Sequence, residues 1–515
     1  MKKFVSILLV LALLLMGMTP ALAEPFGNGE SLSFACLEGW YSAVTINDNL
    51  PAWQEIEKKT GVHILWEANS DYNTAMQPRV AAGQDLPDIM LITPSWGSAG
   101  VFKMANDGLI IGLDELIEEH APNIKRVLEE NPELKGLITA PDGKIYSIPD
   151  TVMFVNELVV QNALFVRQDW LDALTLTAPS TIEDWYNVLT AFKGYSNTAF
   201  GAEAVPFSGI GSLTEIGNIL RVFMGAYGLP VGGSEWWFDD NGEVFYVYGS
   251  EPFRAYLTEM NKWYNEGLVD MELTREEANF QSLVATDVVG SFSHLSERTA
   301  QYDGLLATAG ATGSHTLVVP PMTGDKPLLT KRPATWNHYG ITRDCKDPVL
   351  AIKWLDFVWG SDEGVDIVEW GIEGMTFTKD EAGKNHFTDF VLNNADGLDP
   401  YNALRSLGSA NTILCRTPAD VYVALNEGSP AIPFGEMLLG KRIEPFPDMM
   451  ATVDEQAIVD RIQPDLRTFV NESVAKFITG AQSLDEFDSY LETLNSIGID
   501  ELKAVKQAQF ERSGM

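Results

Sequence analysis

From Ser31 onward the chain alternates short β-rich runs with helical patterns of about ten residues, and this alternation restricts it to α/β architectures. Ser31 to Ala35 reads as a strand. Pro51 to Lys59 reads as a helix, with proline at the first helical position, where no backbone donor is lost, and Gly61 as its stop. Val62 to Trp66 and Asp88 to Ile92 repeat the strand pattern, followed by helices over Tyr72 to Ala82 and Ser98 to Asn106. Units of this spacing build a largely parallel sheet. Such sheets take ligands at the carboxyl ends of their strands, in the loops that lead into the helices. Trp40, Trp66, Ser95 and Trp96 fall at or just after strand ends.

A second αβ region opens near Ala163. Ser180 and Glu183 have the spacing of a capping box, and Trp185, Val188, Leu189 and Phe192 then form one apolar helical stripe. Asp142-Gly143 and Asn241-Gly242 predict two hairpins. Pro348, after Asp347 and ahead of Gly360, opens another helix. In the helical last fifth, Ser483 and Glu486 are spaced to cap a helix whose Phe487, Tyr490, Leu491 and Leu494 share a face. A chain of 515 residues exceeds what one hydrophobic core serves, so two or three domains are expected.

The first residues bear on the compartment. Lys2 and Lys3 precede an apolar run from Phe4 to Met16, Gly17 and Pro20 break it, and Ala21-Leu22-Ala23 leads to Glu24. That order predicts a cleaved signal peptide over 1–23, since the apolar run falls short of the roughly 20 residues a membrane span needs. The expected product is secreted, at the cell surface or in the periplasm, with no lipid-attachment cysteine at the cleavage site. A formal net charge of −37 opposes nucleic-acid binding, which needs a basic footprint. It also disfavours strongly anionic ligands unless a local basic pocket overrides it. Cys36, Cys345 and Cys415 allow at most one disulfide, show no zinc or redox spacing, and read best as buried structural thiols.

Motifs for phosphate cradling, dinucleotide binding, zinc hydrolysis and serine nucleophile elbows are absent from the sequence, and no metal site or cofactor is expected. Aromatic residues are abundant instead: 13 Trp, 15 Tyr and 25 Phe. A flat indole suits stacking on the apolar face of a sugar ring. Trp170, Trp185, Trp263 and Trp354 lie on helical stripes and read as core, and Trp236 and Trp237 lead into a hairpin. Trp40, Trp96 and Trp336 lie in loop contexts beside Gly, Ser, Pro or Asn and are the candidates for ligand contact.

Several segments resemble one family in order along the chain. Val80-Ala81-Ala82-Gly83-Gln84-Asp85-Leu86-Pro87-Asp88-Ile89, Leu113-Asp114-Glu115-Leu116-Ile117 with Ala121-Pro122-Asn123, and Asp142-Gly143-Lys144-Ile145-Tyr146 with Ile148-Pro149 resemble extracellular solute-binding proteins of ABC-type carbohydrate importers. Arg167-Gln168-Asp169-Trp170-Leu171-Asp172, Gly371-Ile372-Glu373-Gly374 and Lys476-Phe477-Ile478-Thr479-Gly480 are similar to the lipoprotein-type subfamily common in Gram-positive bacteria. The resemblance implies an α/β, two-lobed, periplasmic-binding-protein-like fold, each lobe a sheet flanked by helices, with a ligand cleft between the lobes that closes on binding. Lobe one is expected over 24–155 and 335–375, and lobe two over 156–334 and 376–515.

The implied function is capture of an oligosaccharide by a non-enzymatic monomer that delivers it to a membrane permease. A secreted carbohydrate-active enzyme, or a peptide or amino-acid receptor of the same fold, are the alternatives. By family position the cleft is lined by Trp40, Asp48, Ser95 and Trp96 from lobe one and by Phe207 and His294 from lobe two, with Trp336 and Asn337 at its floor. Many relatives carry a calcium loop where this chain has Gly194-Tyr195-Ser196-Asn197-Thr198-Ala199-Phe200-Gly201, so no calcium is expected there. If Trp96 stacks on a sugar, Trp96→Ala weakens binding by about 1–3 kcal/mol and leaves stability nearly unchanged. If it is core, the same change costs about 3–5 kcal/mol of stability and spares affinity; melting temperature and affinity measured on one preparation decide.

Overall fold

The computed structural model describes residues 24–38, 44–92, 97–152, 157–195, 203–210, 219–232, 234–272, 275–311, 313–323, 329–410, 413–447 and 449–513. Among these the strands are, in chain order, β1 (Glu30–Leu37), β2 (Val62–Asn69), β3 (Ile89–Ile92), β4 (Ile148–Thr151), β5 (Ala163–Arg167), β6 (Ser208–Gly209), β7 (Trp236–Phe238), β8 (Val244–Tyr246), β9 (Ser291–His294), β10 (His315–Val318), β11 (Thr335–Ile341), β12 (Phe377–Lys379) and β13 (Asn385–Phe387). Two sheets organise them. One has the order β2-β1-β3-β11-β4 and the other β10-β5-β9-β6, while β7 with β8 and β12 with β13 form separate hairpins.

In the first sheet β1 runs parallel to β2, from Glu30 opposite Val62 to Leu37 opposite Asn69, and parallel to β3. The late strand β11 inserts antiparallel between β3 and β4, so the chain returns to lobe one beside the strand by which it left. The helix Pro51–Thr60 between β1 and β2 ends at Gly61, whose φ of 70° and close approach to the Gly27 carbonyl both exclude a side chain. Phe34 on β1 lies 5.1 Å from Trp66 and 5.8 Å from Trp354, and Trp53 lies 4.6 Å from Trp66, ring centre to ring centre. Trp66, at a predicted strand end, therefore packs against the core.

The second lobe packs Trp185, Phe207, Phe223 and Trp263 in a run of edge-on rings 4.9–6.2 Å apart. The long helix Val453–Thr479 and the helices Phe487–Ile497 and Ile499–Ser513 close this core from the C-terminal end. The buried Arg167 guanidinium is held by Asp169 and Asp287, which offsets the desolvation of a charge inside the lobe.

Local expectations differ from the structure at four places. The capping box over the helix Ile182–Lys193 is Thr181 with Asp184, because the Asp184 carboxylate accepts from the backbone of both Ser180 and Thr181 and from the Ser180 hydroxyl. Ser483 caps a short turn over Leu484–Glu486, and the helix proper begins at Phe487. Asp142-Gly143 makes a tight turn with a single bridge, Thr139 to Ile145, whereas Asn241-Gly242 joins the full hairpin of β7 and β8. Ile413 and Leu414 belong to the core of lobe one, and the Ala410 N–H donates to Val368 O at 2.7 Å, while Phe377, Phe387, Val391 and Leu404 form a separate cluster with Trp370, Val421 and Leu425. The passage back to lobe two thus follows Cys415, later than residue 375.

The Trp354 indole has no exposed surface, and its N–H has no hydrogen-bond partner. Trp354→Ala should cost about 3–5 kcal/mol in urea denaturation. Trp354→Phe should cost under about 1.5 kcal/mol, because it also removes an unsatisfied buried donor. Equal losses in the two variants would contradict this packing.

Candidate functional site

Three stretches of chain pass between the lobes: the run from β4 to β5, the run from β10 to β11, and the run after Cys415. They are bound side by side by Asp150 on β4. Its carboxylate accepts from the Asn337 side-chain amide on β11 at 2.7 Å, from the Tyr339 hydroxyl on β11 at 3.2 Å, and from the Cys415 backbone N–H at 2.8 Å. Backbone bonds continue the join: Thr151 N–H to Cys415 O at 2.9 Å and Val152 N–H to Ala334 O at 3.1 Å. Farther toward lobe two, Lys331 pairs with both Glu157 and Glu444, one carboxylate from each of the other two crossings. Arg442 donates to the Val159 carbonyl beside them.

Burial raises Asp150 to about 7, against the pull of its three donors, and the nearby Glu369 charge adds to the rise. Glu369 is likewise raised to about 7 by burial, although it accepts from the Thr417 hydroxyl at 3.1 Å and feels the Arg416 cation. Both carboxyls are about half protonated near neutral pH.

Above this join lies an apolar patch of Val152, Val159 and Tyr422, against which Leu158, Leu295, Trp336 and Ile432 pack. Trp336 from the return crossing and Leu295 from the end of β9 both pack on this patch, and His294 precedes Leu295 in the chain. The His294 ring sits 5.5 Å from Tyr302, and its Nδ1 accepts from the Leu295 N–H at 2.7 Å. Burial, and then the Arg298 cation, push its pKa down to about 3, so the ring is neutral with Nε2 as its donor. Asn337 is half-buried; its amide nitrogen is committed to Asp150, which turns its oxygen away as an acceptor. Arg332 lays its guanidinium over the Trp336 ring at 4.5 Å.

Of the sequence-derived set, Trp336 lies on this patch, Asn337 on the Asp150 join, and His294 at the end of β9 beside Leu295. Two others are elsewhere. Phe207 has no exposed surface and packs edge-on against Trp185 and Phe223, so it is a core residue of lobe two. Asp48 faces His63 at 4.0 Å beside the start of β2, at the end of the sheet opposite the carboxyl ends where ligands were expected. Trp40, Ser95 and Trp96 lie outside the described residues, as do 196–201 of the predicted calcium-free loop. The structure adds Glu297, Arg298, Arg332, Tyr401 and Tyr422 around the floor. Burial raises Glu297, which also feels Arg298 and Arg332, and its charge in turn acts on Tyr401 and Tyr422. Only the adjacency of Glu297 and Arg298 to Ser293-His294 marked any of these in the sequence. Cys36, Cys345 and Cys415 are all buried free thiols.

No family model matches the chain. The fructooligosaccharide ABC transporter substrate-binding protein FusA of Streptococcus pneumoniae is 25% identical over 536 residues, covering 95% of this chain and 91% of its own. Among solved structures, the alginate-binding protein AlgQ2 without calcium ion superposes with a TM-score of 0.79 at 25% identity, over 96% of this chain and 99% of that one. FusA in complex with kestose superposes with a TM-score of 0.78 at 22% identity, over 94% and 99%. The fold is that of two-domain solute-binding proteins. Among the described residues no helix is long and apolar enough to cross a membrane.

The raised carboxyls make stability depend on pH in a stated direction. Asp150 and Glu369 hold their protons in the native state up to about 7, whereas in the unfolded chain they ionise near 3.8 and 4.5. The native state binds more protons across that window, so this contribution is complete below about pH 4 and is lost as pH rises toward 7. Between pH 5 and 7 the loss should be about 2 kcal/mol per carboxyl, measured by urea denaturation. Asp150→Asn should remove about half of the slope. A slope unchanged in that variant would contradict the assignment.

Proposed function

We propose that this chain, a solute-binding protein of the ABC-importer kind by its fold and its relatives, captures an oligosaccharide outside the membrane and delivers it unaltered to a permease. The observation that carries the reading is the patch at the crossings, where Trp336 packs on Val152, Val159 and Tyr422 and its neighbour Asn337 is oriented by Asp150. The Asn337 amide oxygen and the neutral His294 imidazole N–H match the hydroxyl groups of a sugar, and Trp336 backs the Arg332 guanidinium beside them. FusA, named for fructooligosaccharides, and AlgQ2, named for alginate, support a saccharide over a peptide.

Binding without turnover also fits the carboxyls of the floor. Glycoside hydrolysis needs two carboxyl groups flanking the bond to be cut. The two raised to about 7, Asp150 and Glu369, are almost wholly buried, held by protein donors, and engaged in joining the crossings. The functional form is a monomer, since each chain carries both walls of its own cleft.

Titration with a panel of oligosaccharides, followed by calorimetry and thermal shift, tests the proposal. Ligand binding to the folded state raises the melting temperature by mass action, by about 2.7 kcal/mol of stability at a hundredfold excess over Kd. Trp336→Ala should weaken binding by about 1–3 kcal/mol, and the sugar should be recovered intact. Release of shorter products would favour the enzyme, and binding of peptides in place of sugars would favour the receptor.

A further inference from the structure

The acidic surface and the cleft floor have opposite electrostatic character. The whole chain carries a formal −37, yet Arg298 and Arg332 both act on Glu297 beside the crossings. Most other arginines near the crossings are engaged: Arg442 donates to Val159 O, and Arg416 donates to Trp359 O at 2.9 Å and lies 3.6 Å from Asp362. Arg298 donates only to the amide oxygen of Gln301, at 3.2 Å, and its Nε is buried without a partner. Among the described residues Arg332 has its face on Trp336 and no hydrogen-bond acceptor. Glu297 is the acidic group that senses both, and one of its oxygens is also buried without a partner.

A guanidinium stacked on an indole is held flat, with its row of N–H donors free at the edge. The planar group that answers such an edge with two parallel bonds is a carboxylate. Burial raises Glu297, which reduces how far it neutralises the two cations. The His294 Nε2–H is a further donor at the same floor, and its ring stays neutral, so it does not repel Arg298.

Resting on the oligosaccharide reading above, we infer that the floor is an acid-sugar subsite, in which Arg332, oriented by Trp336 and joined by Arg298, recognises the carboxylate of a uronate residue. The local cations override the repulsion that the acidic surface exerts on an anionic glycan. Arg332 covers the Trp336 face that a neutral sugar would stack upon, which turns that position from stacking to charge recognition.

The test compares oligogalacturonides and oligomannuronides with their methyl esters, and with neutral fructo- and malto-oligosaccharides, by calorimetry at two salt concentrations. The free acids should bind at least tenfold more tightly than their methyl esters. Arg332→Gln, which breaks no ion pair, should weaken the acids about tenfold and the esters less than twofold; Arg298→Gln should act in the same direction. Equal affinity for acids and esters, or tighter binding of neutral sugars, overturns the acid subsite and leaves the oligosaccharide reading standing. Binding of neither class overturns both.

Discussion

One buried carboxylate, Asp150, holds together the three stretches of chain on which the relation between the lobes depends. It lies on the outgoing strand, takes donors from the returning strand through Asn337 and Tyr339, and takes the backbone N–H of Cys415 on the last crossing. A buried acceptor with three donors is expensive to disrupt and short enough to act as a pivot. The same bond that joins the strands also orients the Asn337 side chain.

The lobes on either side are stiff for a different reason. Lobe one concentrates Phe34, Trp53, Trp66 and Trp354 under its sheet, and lobe two stacks Trp185, Phe207, Phe223 and Trp263 behind its own. Packed interiors of this kind move as units, and relative motion falls to the crossings. Between the pivot and lobe two, Lys331 ties Glu157 to Glu444, which keeps the three crossings in step. Contacts to ligand made by both lobes at once would then bias the closed arrangement.

Much of the lobe architecture was legible from local pattern. The helix Tyr72–Ala82 has the predicted ends, β1, β2 and β3 fall within three residues of theirs, and Trp170, Trp185, Trp263 and Trp354 are core. The capping box moved by one residue because Ser180, Thr181 and Asp184 form a tighter mutual set than Ser180 with Glu183. The site was harder. Phe207 looked like a cleft aromatic by position, but the Phe207–Val269 bridge turns its ring inward onto Trp185. Asp150, Glu297, Arg332 and Cys415 are brought together only by the crossings, and no spacing between them in sequence carries that information.

The central claim is that two rigid lobes close on a saccharide about the Asp150 join. The three native thiols are buried, so spin labels can be placed at Leu65→Cys on lobe one and Met271→Cys on lobe two, both exposed positions. Electron–electron resonance distances between them should shift and narrow to a single population when a binding oligosaccharide is saturating. A distance distribution unchanged by a sugar that calorimetry shows to be bound would contradict the account.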